Sequence, residues 1–105
     1  MSANAPSICP AWTASFREWF GLPRSQARML AVLYRAAGAP LAPWELSQAS
    51  GTAEGAVRSH VYQLRRALRA EALDREHGRG YRLTEVGQAE CESALEAMAS
   101  EFGDG

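Results

Sequence analysis

From Thr52 to Ala70 the chain reads TAEGAVRSHVYQLRRALRA, and in it Val57, Val61, Leu64 and Leu68 recur at helical spacing. At about 100° per residue these four side chains fall on one stripe. An isolated helix of this length is marginal in water, so the stripe must be laid against other elements. The rest of the chain has to supply that cover. The same geometry sends Gly55, Ser59, Tyr62 and Arg66 to the opposite side, with Gln63 slightly off it. Arg58, Arg65 and Arg69 make an adjacent row, and His60 flanks the core stripe on its other edge.

The cover is predicted to come from four helices and a hairpin. PAWTASFREWFG starts with a proline suited to a first turn and stops at Gly21. Its Trp12, Phe16, Trp19 and Phe20 suit a core face or a partner-binding face. LPRSQARMLAVLYRAAG reads as a second helix with Leu22, Met29, Leu30, Leu33 and Ala37 inward and Gly38 at its end. After an extended start between Pro40 and Pro43, a short helix runs to about Ser50 and Gly51 ends it. Thr52 is the expected N-cap of the arginine-bearing helix, which runs over about residues 53–70. Two helices joined by SGT, the second longer, have the layout of a helix-turn-helix, although helical pattern alone fits any three-helix bundle.

ALDREHGRGYRLT then breaks the helical period. Leu73, Arg75 and His77 alternate with Asp74 and Glu76, Gly78 and Gly80 allow a tight turn, and Tyr81–Thr84 suits a returning strand. A hairpin is expected over about residues 72–84. TEVGQAECESALEAMASEF reads as a closing helix capped by Thr84, with Val86, Ala89, Leu95, Met98 and Phe102 on a partly apolar face. Gly87 weakens its first turn. The expected fold is mainly α with one small β-hairpin: a winged helix-turn-helix with extra N- and C-terminal helices. A flexible tail is expected over residues 1–9 and a single domain over residues 10–102.

Net charge is −1, but it is unevenly divided. Residues 1–54 carry four arginines and three acids, net +1; residues 55–82 carry seven arginines and three acids, net +4; residues 83–105 carry six acids and no arginine, net −6. Between Glu54 and Glu71 there is no acid at all. A solvated helix face ordinarily interleaves both signs, whereas this one leaves its repulsion uncompensated, and an anionic partner would reverse that cost. All the basic residues are arginines, a bias a GC-rich genome also produces, and arginine is the better fork for phosphates and guanines.

Other classes find little support. No apolar run reaches the length of a membrane span, and the first residues lack a secretory pattern, so a cytoplasmic protein without a membrane partner is expected. Cys9 and Cys91 have no metal-type spacing and read as reduced thiols; His60 and His77 are too far apart in sequence to pair as ligands by spacing alone. No nucleophile–base motif or phosphate-cradling loop is present, so neither an enzyme nor a cofactor or metal is expected.

VRSHVYQLRRAL followed by HGRGYRL resembles the DNA-binding domain of OmpR/PhoB-type response regulators, whose recognition helix is followed by a wing ending in Gly-x-Gly-Tyr-Arg-Leu. The similarity runs over about residues 22–83 and includes LPRSQARMLAVL and LAPWELSQAS as the family's first two helices. It implies a winged helix-turn-helix on double-stranded DNA. Base reading maps to Arg58, Ser59, Tyr62, Gln63 and Arg66, and phosphate contact to His60 and Arg65, with Arg69 continuing the cationic row. The wing contributes Arg75, His77, Arg79 and Arg82 near the minor groove. His77 stands where the family usually has arginine, Arg79 lies inside the turn instead, and Arg58 stands where the family often has an acid. Nothing resembling a receiver domain is seen, so control by phosphorylation is not implied.

LTEVGQAECESAL resembles the helix that follows the wing in other winged-helix regulators, MarR-like proteins among them, where such helices often dimerise. A homodimer through Trp12, Phe16, Trp19, Leu95, Met98 and Phe102 is one reading; completion of a monomeric core by the same residues is the other. The functional expectation is a standalone bacterial or phage transcriptional regulator. Its rival is a protein-interaction winged helix, such as an anti-repressor or a factor binding RNA polymerase or another regulator, which the acidic final helix favours.

Overall fold

The computed structural model describes residues 10–76 and 78–103, and of Ala70 and residues 101–103 the backbone alone. The tail expected over residues 1–9 lies outside the described residues. Five helices and one hairpin follow in order: α1 (Pro10–Phe20), α2 (Arg24–Arg35), α3 (Pro43–Ser50), α4 (Glu54–Ala67), a 3₁₀ turn (Ala70–Ala72), β1 (Leu73–Glu76), β2 (Gly80–Leu83) and α5 (Glu85–Gly103). The chain is thus mainly helical with a small antiparallel hairpin, arranged as a winged helix-turn-helix with a helix added at each end. No helix among the described residues is long and apolar enough to cross a membrane.

The stripe of α4 finds its cover. Val57, Val61 and Leu64 are buried, as is Leu68 just past the helix, against a core that includes Met29, Leu30 and Leu33 of α2 and Leu46 of α3. Each fully buried side chain of this size contributes about 1.5–3 kcal/mol of transfer free energy. The helix is shorter than its sequence pattern. It ends at Ala67 because Leu68 turns to an extended backbone (φ −99°, ψ −176°), which carries Leu68, Ala72 and Leu73 into the core through the 3₁₀ turn.

Two helix ends also differ from expectation. α2 spans only Arg24–Arg35, with Leu22 buried ahead of it; Ala37 is exposed in a left-handed turn (φ 54°) followed by Gly38. The residue at the N-cap of α4 is Ala53, not Thr52, and no side chain caps it. The start of α3 is secured by Pro43 in the first turn and by the Glu45 carboxylate, which accepts the Ala42 N–H at 2.7 Å.

The hairpin pairs Leu73 with Leu83 and Glu76 with Gly80. It gains a third partner in the extended segment before α3: Leu41 N–H donates to the Tyr81 carbonyl at 2.8 Å, and Tyr81 N–H donates to the Leu41 carbonyl at 2.9 Å. That approach requires Gly80, whose φ is +122° and where a Cβ would stand 2.0 Å from the Leu41 carbonyl oxygen.

The added helices close the core from outside. On α1, Phe16 is fully buried, while Trp12 and Phe20 pack partly buried at the core edge; Trp12 meets Tyr34 edge-on with ring centroids 4.9 Å apart. Trp19, expected with them, is half exposed. α5 starts on its Thr84 cap, whose hydroxyl accepts the Gly87 N–H at 3.3 Å and donates to the Ala72 carbonyl at 3.1 Å. Its inward face is Gly87, Cys91, Ala94 and Met98, whereas Val86 and Ala89 face outward, contrary to the sequence reading. The cause is Gly87. A Cβ there would sit 2.4 Å from the Ala72 carbonyl oxygen and 2.6 Å from Leu83 Cδ1, so only glycine lets the first turn of α5 lie flat on the hairpin base.

Gly87→Ala is therefore expected to lower unfolding stability by about 1–3 kcal/mol, while Gly55→Ala, in open space on helical backbone, raises it by about 0.5–1 kcal/mol; urea denaturation of both variants reads the contrast. Burial, followed by the charges of Glu90 and Glu92, pushes the Cys91 thiol up from 9.0 to about 12. An unfolded chain loses this proton first, so the thiol's contribution to stability is complete below about pH 9 and falls as pH rises toward 12. Urea midpoints measured across that window should fall, and a Cys91→Ala variant should show a shallower decline.

Candidate nucleic-acid interface

The turn between α3 and α4 sets the direction in which α4 leaves. Gly51 ends α3 in the left-handed region, and its N–H donates to the Ser47 carbonyl at 3.0 Å. Ser47 Oγ donates to the Thr52 carbonyl at 2.5 Å, and buried Ser50 Oγ bonds the Leu46 carbonyl. The hydroxyl of Thr52 lies 2.9 Å from that of Ser50. Thr52 therefore ties the turn together instead of capping α4.

With its stripe buried, α4 turns Gly55, Arg58, Ser59, Tyr62, Gln63, Arg65 and Arg66 to solvent, as the helical wheel predicts. The Arg66 guanidinium carbon lies 5.9 Å from the centroid of the exposed Tyr62 ring, so the two present a joined cationic and aromatic surface. His60 is half-buried, and its Nδ1 is enclosed without a hydrogen-bond partner among the described residues. Arg69 is drawn toward α5: its Nε lies 3.7 Å from Glu90 Oε2, and its backbone N–H donates to the same oxygen at 3.2 Å. Arg58, Arg65 and Arg66 of the helix have no ion pair among the described residues.

The hairpin register splits the wing arginines between two faces. Arg75 pairs with Tyr81, and its guanidinium carbon lies 6.0 Å from that ring's centroid. Together with Pro43, Glu54, Gly55 and Arg58 they line a concavity of about 460 Å³ between the wing and the start of α4. Arg58 and Arg75 thus converge from different elements on one recess that also holds an acid. On the other face Arg82 is held between Asp74 at 3.4 Å and Glu76 at 3.5 Å. Arg79, at the turn, lies 3.7 Å from Glu76. Such exposed pairs are worth about 0–1 kcal/mol, but they offset much of the wing's positive charge. His77, the remaining expected wing residue, lies outside the described residues.

Four of the six residues named for a dimer surface pack on the chain's own core. Phe16 and Met98 are buried within the chain, and Trp12 and Leu95 pack half-buried against the same core, because α1 and α5 each turn these residues inward. Trp19 is exposed, and the side chain of Phe102 lies outside the described residues. Trp44, at the start of α3 and 54% exposed, was not singled out from sequence. A signal existed: two residues before buried Leu46 is about 200° around the helix, on the outer side.

Comparison with protein-family models, with curated proteins and with solved structures finds no match for this chain. Ser50→Ala removes the hydroxyl from a buried net at the turn and should lower unfolding stability by about 1 kcal/mol, measured by urea denaturation, with a larger loss if Thr52 is left without a partner.

Proposed function

We propose that this chain is a sequence-specific, double-stranded DNA-binding regulator of transcription of the OmpR/PhoB-like winged helix-turn-helix type. The observation that carries the reading is the exposed face of α4, on which Arg58, Arg65 and Arg66 stand without an ion pair among the described residues, interleaved with Ser59, Tyr62 and Gln63. A helix of this width fits the DNA major groove. Arginine and glutamine there offer forked contacts to guanine and adenine edges. Arg65 supplies phosphate affinity, and Ser59, Tyr62, Gln63 and Arg66 supply sequence choice. Arg58 and Arg75, sharing one recess, are suited to a single phosphate, with Glu54 tempering the attraction.

The rival reading, a protein-interaction winged helix, draws on the wing. Asp74 and Glu76 occupy Arg79 and Arg82, two of the three wing arginines expected near the minor groove. On the DNA reading, α4 provides most of the contact and the wing less than its arginine count suggests.

Fluorescence anisotropy with a random-sequence duplex across a salt series tests the proposal. Binding should weaken steeply with salt and disappear in an Arg65→Ala/Arg66→Ala/Arg79→Ala variant. Glu76→Gln should tighten binding and steepen the salt dependence by releasing Arg79, while Arg82 stays paired with Asp74. Against a selected site, Gln63→Ala or Arg66→Ala should cost about 1–3 kcal/mol of discrimination, while Arg65→Ala weakens all sequences alike. No wild-type binding at low salt would transfer the assignment to the interaction module.

A further inference from the structure

Away from α4 lies a second arginine cluster. α1, α2 and α3 wall a groove of about 840 Å³, with Arg17 on one side and Arg24, Arg28 and Arg35 on another. Its lining also includes Ala14, Val32, Ala36, Leu41 and Ala49, so arginines rim a largely apolar trough. The only acid in that lining, Glu45, is already committed to the Ala42 N–H. Arg17, Arg24 and Arg28 have no ion pair among the described residues, while Arg35 is engaged within its own chain.

The chain also carries the complement of this trough. Directly opposite the buried face of α5, Glu85, Glu92 and Glu96 fall within about 40° of one another on the helical wheel, all exposed. Ala89 and Ala99 flank them, so the stripe is acidic with small apolar residues between. None of the three acids has an ion pair among the described residues. The spacings match in reverse. Arg24, Arg28 and Arg35 follow each other at four and seven residues; Glu96, Glu92 and Glu85, read backwards, do the same. Two helices laid antiparallel therefore bring Arg24 opposite Glu96 and Arg28 opposite Glu92, each step rising about 6 Å.

We infer that the groove is the docking site for α5 of a second copy of this chain, antiparallel to α2. Glu92 and Glu96 meet Arg28 and Arg24, and Ala89 and Ala99, on either side of the acids, lie against the small apolar side chains of the groove. The small side chains of both surfaces allow the close helix approach that long apolar residues would prevent. Reciprocal docking about a two-fold axis, each α5 in the other copy's groove, closes the assembly at two copies. The ion pairs fix register and direction, and burial of the trough supplies affinity. The interface differs from one built on Trp12, Phe16 and Met98, and it holds whether or not α4 meets DNA.

Sedimentation equilibrium of the full chain at tens of micromolar tests it by charge exchange. The wild type should be dimeric, with association weakened on the order of 100-fold in Arg24→Glu/Arg28→Glu and in Glu92→Arg/Glu96→Arg. A chain carrying all four substitutions should dimerise again, which a folding defect in either double variant would not produce; circular dichroism of each confirms the fold. A monomeric wild type overturns the inference, as does a dimer that survives both double variants. An unchanged mass in Arg24→Glu/Arg28→Glu with weakened DNA binding also overturns it and makes the groove a nucleic-acid surface.

Discussion

The burial of Val57, Val61 and Leu64 is the interaction on which the rest depends. Three apolar residues on one side of α4 must leave water, and the helix has a single orientation that achieves this. That orientation turns Arg58, Arg65 and Arg66 outward together. Their mutual repulsion is a few tenths of a kcal/mol per pair, against several kcal/mol for the buried stripe, so the core decides and the cationic face is its consequence. The helix-turn-helix, with its hydroxyl net at Ser50 and Thr52, holds this face at a set angle to α3.

Close backbone approach governs the other half of the molecule. Gly80 admits the Leu41 strand against Tyr81, and Gly87 admits α5 against Ala72 and Leu83. Both glycines serve by having no side chain. The hairpin is thereby clamped on two sides, by Leu41 and by α5, although a two-stranded hairpin alone is barely stable in water. The clamp also decides where charge goes: Arg75 turns toward the start of α4, while Arg82 turns to the face where Asp74 and Glu76 meet it.

Segregated charge is the third theme. Among the described residues, the acids of the last helix mostly stand apart from the arginines; Glu90 with Arg69 links α5 to the segment just after α4. Arg58, Arg65 and Arg66 on α4, Arg17, Arg24 and Arg28 at the groove, and Glu85, Glu92 and Glu96 on α5 stand without an ion pair among the described residues. Such a division gives a chain of almost zero net charge strongly directional electrostatics, suited to steering one partner to one face. It also makes the average charge a poor guide to what the protein binds.

Periodicity in the sequence determined the number of helices, the hairpin, the stripe of α4 and the residues opposite it, because each of these follows from local spacing. It also placed the stop at Gly51 and the cap at Thr84. Tertiary structure decided the rest. Whether Thr52 caps a helix or ties a turn depends on Ser50 being buried beside it. Which face of α5 points inward depends on Gly87, whose fit is defined by Ala72 and Leu83 on other elements. Phe16 and Met98, for which spacing allowed either a core or a partner face, are core because α1 and α5 each found a neighbour to turn them toward. Whether a wing arginine is open or paired depends on hairpin register, which sets the acids across from it. Spacing along the chain fixes what one helix or strand presents; only packing fixes what it presents it to.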